Sequence, residues 1–564
     1  MLRNAYFYRL VLILALISYV SRVAAQDPVQ SNPGQSDSTP KPSRQPASPP
    51  AVSTIAHESI NASDPDVSPL HQGIVFFRTK NWDQAATKFR NAPYITGLED
   101  SIVNAWLSRT ELHLHNVDEA ERAARKGLEE FPGSAAAKSA LAEVYFRQAR
   151  FEEANNIVRE LAKAQTTDPR TYLTLALIYW ATANYKSAKA SIDRAHALDD
   201  KDPDIHDEWI GTLPRHEQLE ELKKQLANRL YESEHEREVL VESIAFLEDE
   251  EKQPVRTCKL TQKNLPMETK LEPLANDART IRGFGLQVKI NDTSSHLLVD
   301  TGSTGILINS RVAEKAGVTK IADAKIGGVG DKGPSPGYIA FANHLQIGSL
   351  IFENCYVSVV EKKYSLGEDG LIGTDTFDDF LVDLDFPNNR LRLAELPPFP
   401  DQPATTPGLG LGSPDKNALR NRWIPPPFAA YQRVFRFGHM LLIPGHINNS
   451  PERLFLIDTG SWDNTISPAA AKGFTKIHRD SDIIVKGLNG RVNKVYTVED
   501  VTLTFGHFQQ KRDDLTALDM TRLSNDLGVE ISGALGFDML YLLEINIDYR
   551  DNLVNFSYDP NRFH

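Results

Sequence analysis

A short phrase occurs twice in this chain, and the pair bounds what the chain can become. Leu297-Leu298-Val299-Asp300-Thr301-Gly302-Ser303 is answered by Phe455-Leu456-Ile457-Asp458-Thr459-Gly460-Ser461. In each copy an apolar run reads as a buried strand that delivers an Asp into a turn that glycine permits. A lone Asp-Thr-Gly would be read as an Asx turn. Here the surroundings repeat as well. Residues 285–292 correspond in style to 438–449, giving each strand a hairpin partner. Ser310 and Ser467 follow at similar offsets, as candidate caps for short helices at 311–315 and 468–472. Gly-rich turns come next, with Gly328 and Gly330 in the first copy and Gly487 and Gly490 in the second. Gly370-Leu371-Ile372-Gly373 then matches Gly533-Ala534-Leu535-Gly536, and both copies close on an acidic-aromatic turn at Asp385-Phe386 and Asp548-Tyr549.

Two copies of such a turn have a chemical use that one lacks. A single exposed carboxylate is a weak base toward water, whereas two carboxylates held close together cannot both ionise cheaply, so one keeps its proton. The ionised member can then take a proton from water while the protonated member polarises a substrate carbonyl. Asp300 and Asp458 are the candidate catalytic pair. Thr301 and Thr459 are placed to lock the turns together, and Ser303 and Ser461 to hydrogen-bond the outer carboxylate oxygens, with Gly302 and Gly460 shaping the turns. The four Gly-rich-turn glycines are flap candidates over the cleft.

On these residues both regions resemble retropepsin-like aspartic proteases, and two lobes on one chain also resemble the pepsin arrangement. The resemblance covers about 281–395 and 428–560. It implies closed β-lobes, an Asp dyad and peptide-bond hydrolysis with neither metal nor cofactor nor covalent intermediate. Its pepsin side favours an acidic working range. Neither Gly-rich turn carries the flap Tyr typical of pepsins.

Upstream lies a second repeat. Ala85, Ala120, Ala154 and Ala188 recur about every 34 residues within helical apolar patterns, preceded at fixed offsets by large residues such as Phe76, Tyr145 and Tyr179. This resembles the tetratricopeptide repeat. The expected fold is therefore multidomain, an all-α solenoid followed by an all-β two-lobed acid-protease pair. The solenoid occupies 68–250 with capping helices, 251–280 is a connector, 281–395 is lobe 1, 396–427 is a Pro- and Gly-rich interlobe linker, and 428–564 is lobe 2. Such a solenoid offers a concave surface to a protein partner.

The N-terminus has the layout of a signal peptide over 1–25, with Arg3 and Arg9 before an apolar run and small residues at Val23-Ala24-Ala25. A Pro/Ser-rich stretch over 26–67 is too polar to bury a core and reads as a disordered tether. Export to a periplasm or the exterior is the expectation. No integral span is expected, beyond the signal anchor that an uncleaved leader would be. Cys258 and Cys355 pair or remain buried thiols on this reading. A formal net charge of -13 argues against a nucleic-acid partner, and the 15 histidines form no His-Glu-x-x-His or other ligand cluster. The expected partner is a peptide or protein substrate. Two alternatives stand beside an exported endopeptidase: a non-catalytic peptide-binding scaffold, and lobes active only as an intermolecular dimer.

Overall fold

The computed structural model describes residues 68–94, 97–252, 258–277, 280–360, 369–400, 419–480, 483 and 485–562. The leader, the tether and residues 401–418 of the interlobe linker lie outside the described residues.

The solenoid is built from helices α1 (Pro69–Arg78), α2 (Trp82–Arg90), α3 (Leu98–His113), α4 (Val117–Glu130), α5 (Ala135–Arg147), α6 (Phe151–Lys163), α7 (Pro169–Ala181) and α8 (Tyr185–Leu198). Helices α9 (Pro203–Ile210), α10 (Arg215–Ala227) and α11 (Glu234–Lys252) complete it. Polar side chains cap several of the odd-numbered members. Ser134 accepts from the Ala137 N–H and Asp168 from the Thr171 N–H. Pro169 and Pro203 open their helices at the first position, where a missing N–H costs nothing.

The inner helices are not amphipathic. Residues 139–147 of α5 are buried without interruption, as are 173–178 of α7. A helix covered all round has neighbours on both sides. One side is the outer helix row. The other is the chain itself, through buried ion pairs. Arg170, fully buried, reaches Asp202, Glu143 and Asp204 at 2.8 Å each. Arg109 pairs with Glu143 at 3.1 Å, and His113 with Asp204 at 3.1 Å. Lys80, just after α1, meets Asp207 at 3.0 Å and Glu236 at 2.6 Å. The first helix pair is thus tied to α9 and α11, and the concave face expected to receive a partner is occupied from within.

The solenoid also packs on both lobes. Phe146, Phe151 and Leu177 share one core with Phe437, Met440, Leu442, Leu454 and Leu456 of lobe 2, and the Phe151 and Phe435 rings lie 4.3 Å apart. Leu240, Ile244 and Phe246 of α11 share another with Ala324, Ile326, Ile339 and Phe341 of lobe 1.

The segment read as a connector is not a linker. Strand Lys259–Gln262 pairs with Leu350–Val360, and strand Met267–Asp277 pairs with both Thr280–Ile290 and Arg390–Glu395. Cys258 and Cys355 form a disulfide beside the first pairing. The segment escaped recognition because, among its described residues, Met267 and Leu271 alone are fully buried, with Leu260 and Leu265 partly buried among charged neighbours. Strands Phe380–Asp385 and Glu544–Asp548 run antiparallel from Leu381↔Asp548 to Asp385↔Glu544, so both lobes feed one 14-stranded sheet. Lobe 2 keeps its own 8-stranded sheet.

Replacing Arg170 with Met leaves buried Asp202 without its cation and takes one partner each from Glu143 and Asp204. Urea unfolding followed by far-UV circular dichroism should show a loss of about 3–5 kcal/mol; a loss below about 1 kcal/mol would mean that the network contributes little.

Candidate active site

Each Asp is delivered by a strand paired on both edges. Thr293–Asp300 lies between Thr280–Ile290, antiparallel, and Gly370–Gly373, parallel, with Asp300 opposite Gly373. Arg453–Ile457 lies likewise between Met440–Ile447 and Gly533–Leu535, and the Asp458 N–H donates to the Leu535 carbonyl at 3.0 Å. Burial on both faces explains the unbroken apolar runs before each Asp. The glycine pairs seen in the sequence are close-approach positions within these crossings.

The two turns are locked by a reciprocal exchange. The Thr301 N–H donates to Thr459 Oγ1 at 3.0 Å and the Thr459 N–H to Thr301 Oγ1 at 3.0 Å. Each hydroxyl then donates onward into the opposite lobe, Thr301 to the Ile457 carbonyl at 2.8 Å and Thr459 to the Val299 carbonyl at 2.9 Å. Both threonines are buried. This brings the Asp300 and Asp458 side chains together in one chain, close enough for each to act on the other's proton. A Cβ on Gly302 would lie 2.6 Å from Asp458 Oδ1, and one on Gly460 would press on the Asp300 carboxylate. Glycine is required at both places because each turn forms the floor under the other's acid.

Burial raises Asp300 well above the ordinary 3.8, and the charge of Asp458 raises it further, against the pull of the Gly302 N–H. Asp458 is raised by burial too, but two N–H groups, from Gly460 at 3.0 Å and Ser461 at 3.1 Å, support its charge. Asp300 accepts one strong bond, from Gly302 at 2.8 Å. The pair therefore shares one proton, and the two carboxyls titrate as one unit.

The serine hydroxyls do not play the part expected of them. Ser461 supports Asp458 through its backbone N–H, while its hydroxyl donates toward the Asp463 carbonyl at 3.4 Å. Ser303 likewise meets Asp300 through its backbone. A tight turn points successive N–H groups inward, so the backbone supplies the bonds expected of the hydroxyls. Nor does Ser310 cap its helix: Asn309 does, accepting from the Val312 N–H at 2.9 Å, one residue earlier than expected.

Asp375 anchors the segment leaving the first turn. It is buried, accepts from Thr304 Oγ1 at 2.6 Å and the Gly305 N–H at 2.8 Å, and is pushed up to about 6 by burial. In lobe 2 Asp538 takes the corresponding place, accepting from the Asn464 N–H at 3.2 Å, while Asn464 Oδ1 accepts from the Gly536 N–H at 2.6 Å.

All four flap candidates meet where the two hairpin tips touch. The lobe 1 hairpin, Thr319–Ile326 and Ser335–Ile347, meets the short lobe 2 ribbon, Val485–Gly487 and Gly490–Val492, tip to tip. The Asn489 N–H donates to the Val329 carbonyl at 2.8 Å and the Lys332 N–H to the Asn489 carbonyl at 3.1 Å. Asn489 Oδ1 accepts from Ser335 Oγ at 2.9 Å. Gly328 and Gly330 lie against Leu488 and Asn489, Gly487 against Val329, and Gly490 against Lys332. Asn489, 3 % exposed, is the latch. Sequence reasoning passed over it, although Asn-Gly is a turn signal. His439, whose Nε2 lies 2.9 Å from the Gly302 carbonyl, was missed for a different reason, since nothing local marks a contact 137 positions away. Among the described residues there is no His, Cys, Asp and Glu cluster able to hold a metal.

Residues 286–376 match the family model for aspartyl protease, and residues 111–172 match one for the tetratricopeptide repeat. No curated protein matches the chain. Among solved structures, an aspartic proteinase from Irpex lacteus is similar at 13 % identity, covering 52 % of this chain and 98 % of that one with a TM-score of 0.31. The first match spans both the Asp300 turn and the glycine pair opposite it, and lobe 2 repeats those features. The chain joins an N-terminal tetratricopeptide-repeat region to an aspartic-protease-like domain.

Proposed function

We propose that the chain is an exported aspartic endopeptidase that hydrolyses peptide bonds with the Asp300/Asp458 pair. The observation that carries this is the meeting of two carboxylates from duplicated turns, in a molecule whose two hairpins also touch. Water bound between the acids gives a proton to the ionised carboxylate as its oxygen attacks the peptide carbon. The protonated member of the pair donates to the carbonyl oxygen, forming a neutral tetrahedral diol. Collapse breaks the C–N bond as the amine takes up a proton, and the pair returns with one proton. The hairpins exclude bulk water while this occurs. The leader sequence and the Cys258–Cys355 disulfide support export to an oxidising compartment, periplasmic or extracellular.

Pairing within one chain favours this reading over lobes that act only as an intermolecular dimer. The non-catalytic scaffold is the outcome that loss of turnover would leave. Tetratricopeptide repeats are a protein-interaction scaffold. With the inner face engaged by α9 and α11 and α6 set against lobe 2, a partner would meet the outward helices α2, α4 and α8.

Asp300→Asn and Asp458→Asn, assayed separately on a peptide library from about pH 3 to about pH 8, should each abolish cleavage. Survival of activity in either variant would sink the single-chain dyad. Cleavage by the native chain should fade as pH rises through the raised titration of the pair.

Stability carries the same signature. The folded pair holds its proton more tightly than the unfolded carboxyl at its ordinary 3.8, so its contribution is largest below that value and is lost as pH rises toward the raised folded values. Asp300→Asn should therefore raise Tm at neutral pH, by roughly 2–4 °C, and match the native chain near pH 4. Equal or lower Tm at neutral pH would contradict the shared proton. Asn489→Ala removes the side-chain latch and should raise KM by roughly 5–10-fold with kcat less affected; an unchanged KM would show that the tips close without it.

A further inference from the structure

Behind the Asp300 turn lies a buried imidazole that the hydrolytic scheme leaves unused. His439 sits in the turn between strands Phe435–Phe437 and Met440–Ile447 of lobe 2, next to Gly438 at φ +61°. It is 5 % exposed. Its Nε2 lies 2.9 Å from the carbonyl of Gly302, in lobe 1. A carbonyl only accepts, so Nε2 carries the hydrogen and donates. Nδ1 is buried without a hydrogen-bond partner, which is consistent with a bare neutral nitrogen there.

Gly302 is the residue whose N–H donates to Asp300 Oδ1 at 2.8 Å. Fixing its carbonyl fixes the orientation of the turn that holds the acid. The hairpin that presents His439 is itself braced. Arg436 Nε donates to the Gly438 carbonyl at 2.9 Å, and its Nη1 to the Tyr549 carbonyl at 3.1 Å. The Tyr549 hydroxyl is hydrogen-bonded to that of Thr374, the residue after Gly373, which pairs with Asp300. The contact therefore belongs to a chain of bonds that runs around the back of the Asp300 turn.

We propose that His439 is a positioning residue, reaching from lobe 2 to hold the Gly302 carbonyl and, through that residue, the carboxylate of Asp300 in cleavage-ready geometry. This rests on the hydrolytic reading of the pair. The charged group facing the ring is Arg436, from its own hairpin, while Asp375 and Asp378 of lobe 1 act on Arg436. Burial first, with the Arg436 charge added, lowers the imidazole to about 4 against the pull of the Gly302 carbonyl. The ring thus stays neutral until strongly acidic pH. Protonation there would put a second N–H where no acceptor waits, so the support weakens as pH falls toward 4 and below.

Two variants of the full chain separate these effects. His439→Phe keeps a ring and loses the donor; it should lower kcat by about 10–100-fold with little change in KM. His439→Gln supplies an amide donor that does not titrate; it should recover most of kcat and extend activity on the acidic side. Full kcat in His439→Phe, or a Gln variant as impaired as Phe at every pH, would overturn the proposal. A readout independent of turnover is the carboxyl ¹³C titration of aspartate-labelled protein, with Asp300→Asn identifying the signals of the pair. The Phe variant should shift that titration and the Gln variant leave it near the native curve; an unshifted Phe variant overturns the proposal. If the native chain cleaves no peptide, the hydrolytic reading fails, and the titration alone decides whether His439 sets the geometry of the pair.

Discussion

Two threonine hydroxyls, each shared with the opposite turn, are the interaction on which the meeting of the two carboxyls depends. Bringing two buried carboxylates together is unfavourable, because both lose water and each repels the other's charge. Something must hold them there. The lock does so with four hydrogen bonds between groups that would otherwise be unsatisfied inside the protein. Parting the lobes would orphan all of these groups at once. The repulsion is then relieved in the least costly way left, by retention of one proton.

The helical region answers a different need. The outward face of lobe 2 around Phe435, Phe437, Met440, Leu442, Leu454 and Leu456 is apolar and would be an aggregation hazard in water. Helices α5, α6 and α7 cover it. The carboxylates buried within the repeats are neutralised by Arg170, Arg109 and Lys80. The repeats thus serve as an intramolecular wall, and the lobes do not form an independent unit with the helices as an optional arm.

Much of this was legible in the sequence, for reasons that differ between parts. The duplicated Asp-Thr-Gly turns and the 34-residue period were visible because each imposes a local pattern, an apolar run into a glycine turn or a small residue at fixed helical spacing. Resemblance supplied the name of the fold, and the register of the glycine pairs supported it. The pairing of strands at Lys259–Gln262 and Met267–Asp277 was hidden, since strands with few buried side chains and many charges look like linker. The filled inner face of the solenoid was hidden too. Arg170, Glu143, Asp202 and Asp204 are ordinary charged residues until successive repeats stack and bring them together. Ser303 and Ser461 misled because side-chain chemistry was assumed where backbone N–H groups sufficed.

The two hairpins over the cleft are not equals. The longer one leans on α11 through Ala324, Ile326, Ile339 and Phe341, with Lys325 and Glu238 3.5 Å apart at its edge. The shorter one is a two-stranded ribbon outside the larger sheets. Opening a doorway between them costs apolar burial on one side and little beyond tip contacts on the other. A nearly symmetric pair of acids therefore lies behind an entrance whose two sides are unequally supported.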